Sequence, residues 1–156
     1  MRSIYLDGNI LIAYYSSDKQ ESHKKQMVQR ALDVFAKARD VWLCTSIWAV
    51  TEMVNILVSS KKMDPADVAE IDQRLFIESF GNLRLHFLEV NPDKNYDFGR
   101  FFDDVRDGIL SYHSGVGDVI HSVIMKNNGI DHILTFGEKD DFRQIPGLTV
   151  FHPKDF

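Results

Sequence analysis

Several features that would indicate other classes of protein are missing from this chain of 156 residues. Its single cysteine excludes an internal disulfide framework and fits a reducing compartment such as the cytoplasm. No apolar run approaches the roughly 18 residues that a membrane-spanning helix needs. The N-terminus also lacks the basic, apolar and small-residue order of a signal peptide. We therefore expect a cytoplasmic protein with no membrane partner.

Common signatures of zinc and nucleotide sites are missing as well. No CxxC or HExxH spacing predicts a zinc site. No GxGxxG motif follows the first β-prone segment, which argues against dinucleotide binding. The formal net charge of −5 argues against a surface that coats nucleic acid, because such surfaces are usually basic. The negative net charge is compatible with an enzyme whose carboxylates surround a divalent cation.

What the chain does contain is an alternation of β-prone and helical segments. The β-prone segments are residues 3–6, 41–44, 83–90, 132–136 and 148–151. Apolar residues at helical spacing cover residues 9–15, 21–38, 47–58, 65–80, 96–112 and 119–126. This alternation predicts a three-layer α/β/α architecture with a central, mostly parallel sheet of about five strands. Because there is no repeat, low-complexity tract or linker, we expect residues 1–156 to form a single domain.

Acidic residues stand at the ends of several of these segments. Asp7 follows the first strand, Glu52 lies in the helix after the second strand, and Asp118 opens the helix before the fourth. Three more acids follow the fourth strand, namely Glu138, Asp140 and Asp141. The carboxyl ends of parallel strands meet at one edge of a sheet, where ligands of such folds bind. The sequence therefore predicts a cluster of carboxylates at this edge.

Each acid also has an ordinary structural interpretation. Asp118 could be a helix-opening residue stabilised by the helix dipole, Glu52 a residue on the polar side of its helix, and the acids after the fourth strand solvated turn residues. Asp7 resists this interpretation, because buried-type residues flank it and a carboxylate is costly to desolvate. Clustered carboxylates repel one another unless a cation lies among them. A set of oxygen ligands suits Mg²⁺ or Mn²⁺ rather than zinc.

Four motifs follow one another along the chain: Asp7-Gly8-Asn9, Thr45-Ser46 followed by Glu52, Gly117-Asp118-Val119-Ile120-His121, and ILTF followed by DDF. Together they resemble a PIN domain over nearly the whole length of the chain. The small single-domain type typified by the VapC toxins of VapBC toxin–antitoxin pairs is the most similar. The resemblance implies a metal-dependent endoribonuclease that hydrolyses RNA with one or two Mg²⁺ or Mn²⁺ ions. It also implies a small antitoxin partner and a homodimer.

The resemblance assigns roles to individual positions. It makes Asp7, Glu52 and Asp118 metal-site acids and Asp140 the fourth, with Asp141 or Glu138 as substitutes. Asn9 and Thr135 match positions that support the site by hydrogen bonding, and Ser46 matches a small polar position near the second acid. Two positions depart from the family pattern. Gly8 replaces the usual Ser or Thr after the first aspartate, and Gly137 stands where an acid or amide often follows the fourth strand.

Several alternatives remain open at the level of sequence. His121, three residues after Asp118, can share a helix face with it. There it could contact a substrate phosphate, order a water molecule at the metal site, or be a packed, hydrogen-bonded histidine. Cys44 fits a buried apolar residue better than a nucleophile, because it lies in an apolar run.

Other functions compete with an antitoxin-controlled nuclease. The departures at Gly8 and after Thr135 would suit a degenerate PIN-like module that binds RNA or protein without cleavage. An RNA-processing nuclease with no antitoxin is another alternative. A phosphotransferase of the haloacid dehalogenase type needs a second acid where Asn9 stands, and asparagine cannot donate that proton.

Overall fold

The computed structural model describes residues 2–77, 80, 82–137 and 142–156. In chain order its elements are β1 (Arg2–Leu6), α1 (Gly8–Tyr15), α2 (Ser22–Lys37), β2 (Val41–Ser46), α3 (Ile47–Ser59), α4 (Pro65–Ile77), β3 (Leu85–Leu88), α5 (Phe98–Tyr112), α6 (Val116–Asn127), β4 (His132–Leu134) and β5 (Thr149–Phe151). Each predicted strand and helix is present, although several ends differ by two or three residues. In these ranges, no helix has the length and apolar character needed to cross a membrane.

The five strands form one sheet in the order β3-β2-β1-β4-β5, and every strand pair is parallel. The predicted sheet of about five mostly parallel strands is thus confirmed. The chain builds outward from β1 through β2 to β3, and then returns to add β4 and β5 on the other side of β1. The order of the strands therefore reverses between β1 and β4. In open α/β sheets, the crevice at the carboxyl ends of such a strand pair is where ligands bind.

Helices cover both faces of the sheet, because alternate side chains of each strand point to opposite faces. Ile4 and Leu6 of β1 belong to the core that α1 to α4 complete on one face. Tyr5, between them, points to the opposite face, where it packs with Met125 of α6 and Ile133 of β4. A further cluster joins α5 to α6 on that second face. The expected three-layer α/β/α architecture is confirmed, and Tyr5 is on the side of α6.

Local signals set the starts of the helices that carry the predicted site residues. Ser46, the last residue of β2, accepts a hydrogen bond from the Ala49 amide at 3.3 Å and so caps α3 directly. This puts Glu52 in the second turn of α3. Helix α6 begins at Val116, earlier than the predicted residue 119, so Asp118 lies inside its first turn.

Candidate metal centre

Asp7 lies at the crevice between the ends of β1 and β4. It occupies the position before the first residue of α1, yet its side chain makes no capping hydrogen bond to that helix. The residue is only 6% exposed. Its Oδ2 accepts a hydrogen bond of 2.6 Å from the hydroxyl of Thr135, the residue after β4. The Asp7 side chain therefore does not cap α1, and its carboxylate faces the crevice.

Asn9 and Thr135 hold this edge of the sheet together. The Asn9 side-chain amide donates to Thr135 Oγ1 at 3.1 Å, and its Oδ1 accepts from the backbone amide of Phe136 at 3.1 Å. Thr135 Oγ1 also accepts from the Gly137 amide at 3.0 Å. Thr135 donates its single hydroxyl proton to Asp7, and its oxygen accepts hydrogen bonds from Asn9 and Gly137. Together these contacts fix the orientation of the threonine side chain. This network sets the position of the Asp7 carboxylate.

Glu52 reaches the same crevice from α3. The residue is half-buried, and its Oε2 lies 2.7 Å from Nε2 of His121. Its neighbour across the helix contact is Gly8, where an added Cβ would lie 2.6 Å from Glu52 Oε2 and 3.2 Å from the carbonyl oxygen of Ala49. The glycine therefore does more than remove the family's usual hydroxyl. It leaves the space in which the Glu52 carboxylate lies.

His121 lies between the two carboxylates and is 1% exposed. In addition to its contact with Glu52, its Nε2 is 3.2 Å from Asp7 Oδ1. Burial alone would lower the pKa of His121. The hydrogen bond to Glu52 and the charges of Asp7, Glu52 and Asp118 outweigh burial and raise the pKa above its ordinary value. When no cation is bound, the N–H of the His121 imidazole therefore supplies the positive character that stabilises the two carboxylates.

A buried chain of hydroxyl groups orients this imidazole from its other side. Nδ1 of His121 lies 2.7 Å from the Tyr5 hydroxyl, which in turn lies 2.5 Å from Ser46 Oγ. Burial raises the pKa of Tyr5 well above its ordinary value, and the hydrogen bond to Ser46 only partly offsets this. The phenol therefore stays neutral and keeps its proton. Ser46 thus contributes to the site through Tyr5 and His121.

The structure describes Asp118 but not the three predicted acids after β4. Asp118 is half-buried in the first turn of α6, and its charge is among those that raise the pKa of His121. It is not one of the three residues whose potential ligand atoms approach one another most closely. Glu138, Asp140 and Asp141 lie outside the described residues, so the fourth acid stays a prediction.

The donor set of this cleft suits a divalent cation. Burial raises the pKa of Asp7, although His121 and the Thr135 hydrogen bond act against it, and the charge of Glu52 adds to the rise. Within the described ranges, Asp7, Glu52 and His121 are the residues whose ligand atoms all lie within 4.8 Å of one another. The sequence favoured a set of oxygen ligands, whereas this group adds an imidazole nitrogen. A cation among these atoms would offset the charge of the two carboxylates.

Tyr5 is the site residue that the sequence reasoning missed. In the segment SIYL it reads as one more residue of a buried strand. The available signal was its hydroxyl group, because a buried tyrosine usually finds a hydrogen-bond partner. Cys44, by contrast, is 3% exposed, and burial raises the pKa of its thiol to about 12. That value excludes a thiolate nucleophile at neutral pH and fits the apolar interpretation.

A separate depression lies away from the group of Asp7, Glu52 and His121. This depression, of about 840 Å³, lies against α5 and α6, with Tyr96, Arg100, Asp104 and Lys126 among its lining residues. Its charges have mixed sign, and the described part of the chain places no group of three potential metal ligands there. We therefore locate the candidate chemistry at the cleft beside Asp7, where the buried ionisable groups meet.

No protein-family model and no curated protein sequence matches the chain. The structure of the chain does match solved structures of other proteins. VapBC-1 of nontypeable Haemophilus influenzae is 14% identical, with a TM-score of 0.65, 97% of this chain covered and 98% of that chain. VapBC2 of Rickettsia felis, bound to a DNA fragment from its promoter, is 15% identical, with a TM-score of 0.63 and coverages of 96% and 98%.

A third similar structure is VapC20 of Mycobacterium tuberculosis, described as a toxin that cleaves the sarcin-ricin loop. It is 11% identical, with a TM-score of 0.59 and coverages of 93% and 96%. Likenesses at such low identity show the fold. The chain has the fold of the VapC structures, and the PIN-like fold that the resemblance implied is confirmed.

Proposed function

We propose that this chain is a metal-dependent endoribonuclease that hydrolyses RNA phosphodiester bonds, and that it is the toxin of a type II toxin–antitoxin pair. The observation that carries the proposal is the meeting of two carboxylates, Asp7 and Glu52, beside a buried histidine at the crevice between β1 and β4. The shared fold supports an RNA substrate, since the similar VapC20 is described as cleaving an RNA loop. The expected Mg²⁺ or Mn²⁺ dependence is part of the proposal.

The proposed metal ligands are Asp7, Glu52, Asp118 and a fourth acid, for which Asp140 is the first choice and Asp141 or Glu138 the substitutes. One or two bound cations would activate a water molecule for in-line attack and offset the charge on the phosphate and the leaving oxygen. The chain's own groups do the positioning. Thr135 and Asn9 fix the Asp7 carboxylate, and the Tyr5 hydroxyl with Ser46 fixes the His121 ring.

The two carboxylates differ in access to solvent, which separates their proposed roles. The side chain of Asp7 is 8% exposed, whereas that of Glu52 is 30% exposed. A general base must reach the water whose proton it accepts. We therefore assign proton acceptance to Glu52 and a purely ligating role to Asp7.

The proposal includes partners as well. The likeness to solved VapBC complexes supports a small antitoxin, and a cleft with exposed carboxylate surface attracts a basic side chain from such a partner. The proposal also includes a homodimer, and a location in the cytoplasm, where RNA and antitoxin are both present. Copurification with the product of a short neighbouring reading frame would support the antitoxin.

The deciding experiment is RNA cleavage by wild type and by Asp7→Asn. Purified protein is incubated with total RNA in Mg²⁺, in Mn²⁺ and in chelator, and the new RNA ends are mapped by sequencing. We expect cleavage at defined positions by wild type with metal, and none in chelator or with Asp7→Asn. The matched control is Asp33→Asn, which removes an exposed carboxylate on α2 and should cleave like wild type.

Two results would contradict the nuclease assignment, and a third would contradict the toxin assignment alone. Cleavage that survives both chelator and Asp7→Asn would indicate a contaminating nuclease or another mechanism. Metal-loaded wild type that binds RNA but leaves it intact would favour the degenerate binding module instead. Cleavage by a protein that has no antitoxin partner would keep the nuclease and remove the toxin assignment.

A further inference from the structure

The position of His121 Nε2 is that of a ligand atom rather than of a substrate contact. It lies 2.7 Å from Glu52 Oε2 and 3.2 Å from Asp7 Oδ1. The residue is 1% exposed, so an RNA phosphate cannot reach the ring. Of the roles left open by the sequence, direct contact with substrate is therefore excluded. A packed, hydrogen-bonded role and the ordering of a water molecule at the metal site remain, and the position of Nε2 adds direct ligation of the cation that Asp7 and Glu52 share.

The spacing of the three atoms suits a shared ion. In an octahedral site with bonds of about 2.1 Å, neighbouring ligand atoms stand roughly 3.0 Å apart. The two distances from Nε2, 2.7 and 3.2 Å, lie on either side of that value. All three potential ligand atoms are within 4.8 Å of one another. Small side-chain shifts would thus give one ion all three atoms as ligands.

The groups behind the ring suit ligation by Nε2. A histidine that binds a metal through one nitrogen usually donates the N–H of the other to a fixed acceptor, which sets the tautomer. Here Nδ1 lies 2.7 Å from the Tyr5 oxygen, and the Tyr5 hydroxyl can donate onward to Ser46 Oγ at 2.5 Å. With the proton on Nδ1, the lone pair of Nε2 points at the two carboxylates.

We propose that His121 binds the catalytic cation directly through Nε2, so that the centre is a mixed nitrogen–oxygen site that prefers Mn²⁺ to Mg²⁺. The inference rests on the proposed metal-dependent function and deepens it. Imidazole suits transition metals, whereas Mg²⁺ keeps oxygen ligands and gives up its water reluctantly. The His121 nitrogen ligand therefore favours the binding of Mn²⁺ over Mg²⁺.

The test is pulsed electron paramagnetic resonance on the full chain, stripped with chelator and loaded with less than one equivalent of Mn²⁺. Protein grown with ordinary histidine should show nitrogen coupling to Mn²⁺, and protein grown with ¹⁵N-histidine should show the coupling of the heavier isotope instead. This comparison needs no variant, so it decides whether a histidine is bound even if substitutions prevent folding. Calorimetric titration with Mn²⁺ and with Mg²⁺ gives the two affinities.

Variants assign the signal to one ring. His121→Asn should lose the nitrogen coupling and bind Mn²⁺ roughly tenfold more weakly or worse, while its Mg²⁺ affinity changes less. The matched control is His132→Asn, since His132 also contacts a carboxylate, Asp131, but does so on β4 away from the cleft. This control should keep both the coupling and the affinity.

Several outcomes would overturn the inference. They are bound Mn²⁺ without nitrogen coupling, coupling that persists in His121→Asn, and equal loss of Mn²⁺ and Mg²⁺ affinity in that variant. If RNA cleavage still requires Asp7 and metal in any of these cases, only the ligand role fails. No Mn²⁺ binding at millimolar concentration would end both proposals. Nitrogen coupling without any RNA cleavage would support the ligand role and end the proposed function.

Discussion

Replacing Gly8 by alanine tests whether the space beside this glycine is what positions Glu52. The added Cβ would lie 2.6 Å from Glu52 Oε2 and 3.2 Å from both Glu52 Cβ and the Ala49 carbonyl oxygen. Ordinary van der Waals contact needs about 3.5 Å. The Glu52 carboxylate oxygen must therefore move away from the new Cβ by roughly 0.9 Å. Because the Ala49 carbonyl oxygen is also close to the new Cβ, the backbone of α3 has little room to adjust.

This shift acts on the 2.7 Å hydrogen bond between Glu52 and His121. A hydrogen bond to a charged group contributes about 1.5–3 kcal/mol. Because the Glu52 side chain is 30% exposed, we place the loss at the low end, about 1.5 kcal/mol. Alanine recovers up to about 1 kcal/mol through its higher helix propensity. The free energy of unfolding of the metal-free protein should thus fall by only about 0.5–1.5 kcal/mol.

The effect on metal binding should be larger, because a displaced carboxylate no longer shares a cation with Asp7. We expect Mn²⁺ to bind Gly8→Ala roughly tenfold more weakly than wild type. Calorimetric titration measures the affinity, and urea denaturation in chelator measures the stability.

The matched control is Gly108→Ala. Its Cβ would also lie 2.6 Å from a side-chain atom, here Cγ1 of Val119 between α5 and α6. This change should lower stability to a similar degree and leave Mn²⁺ binding unchanged. Equal Mn²⁺ affinity in the two variants would refute the reasoning, because the glycine would then be a packing residue only.

Three further predictions concern the buried groups around the centre. Tyr5→Phe should lower the free energy of unfolding by about 1–3 kcal/mol, since it leaves the ring nitrogen of His121 and the Ser46 hydroxyl without their shared partner; an unchanged urea midpoint would contradict this. In chelator, the stability that His121 contributes should be complete below about pH 6.5 and disappear as the pH rises through its raised folded-state pKa. Urea titrations from pH 6 to pH 9 should therefore show a steeper fall for wild type than for His121→Asn, and parallel curves would count against the raised pKa. Cys44 should react with a thiol reagent at pH 8 only after unfolding, because it is 3% exposed and burial raises its pKa to about 12; rapid reaction of the folded protein would contradict its burial.

The architecture could be predicted from sequence because it rests on local patterns. Apolar spacing distinguishes helices from strands, and their alternation implies parallel pairing. Pro65 at the start of α4 and Ser46 at the start of α3 are local signals of the same kind. The place of Asp7 and Glu52 at one edge also followed, since the carboxyl ends of parallel strands share that edge.

The roles of three residues could not be read in this way. The sequence left His121 with several alternatives, treated Tyr5 as one more strand residue and interpreted Gly8 as a lost hydroxyl. Each role depends on contacts between residues far apart in the chain. His121 meets Glu52 across 69 positions and Tyr5 across 116. The fourth acid, expected at Asp140, stays a prediction because it lies outside the described residues.

The sequence by itself determined which segments are helices and strands, that the sheet is mostly parallel, and which edge collects the acids. Periodicity and strand polarity encode these properties residue by residue. Only the tertiary structure decided that a histidine, rather than a third carboxylate, lies between Asp7 and Glu52. That choice depends on how α6 is rotated against β1 and how closely α1 approaches α3, and packing across the whole core sets both.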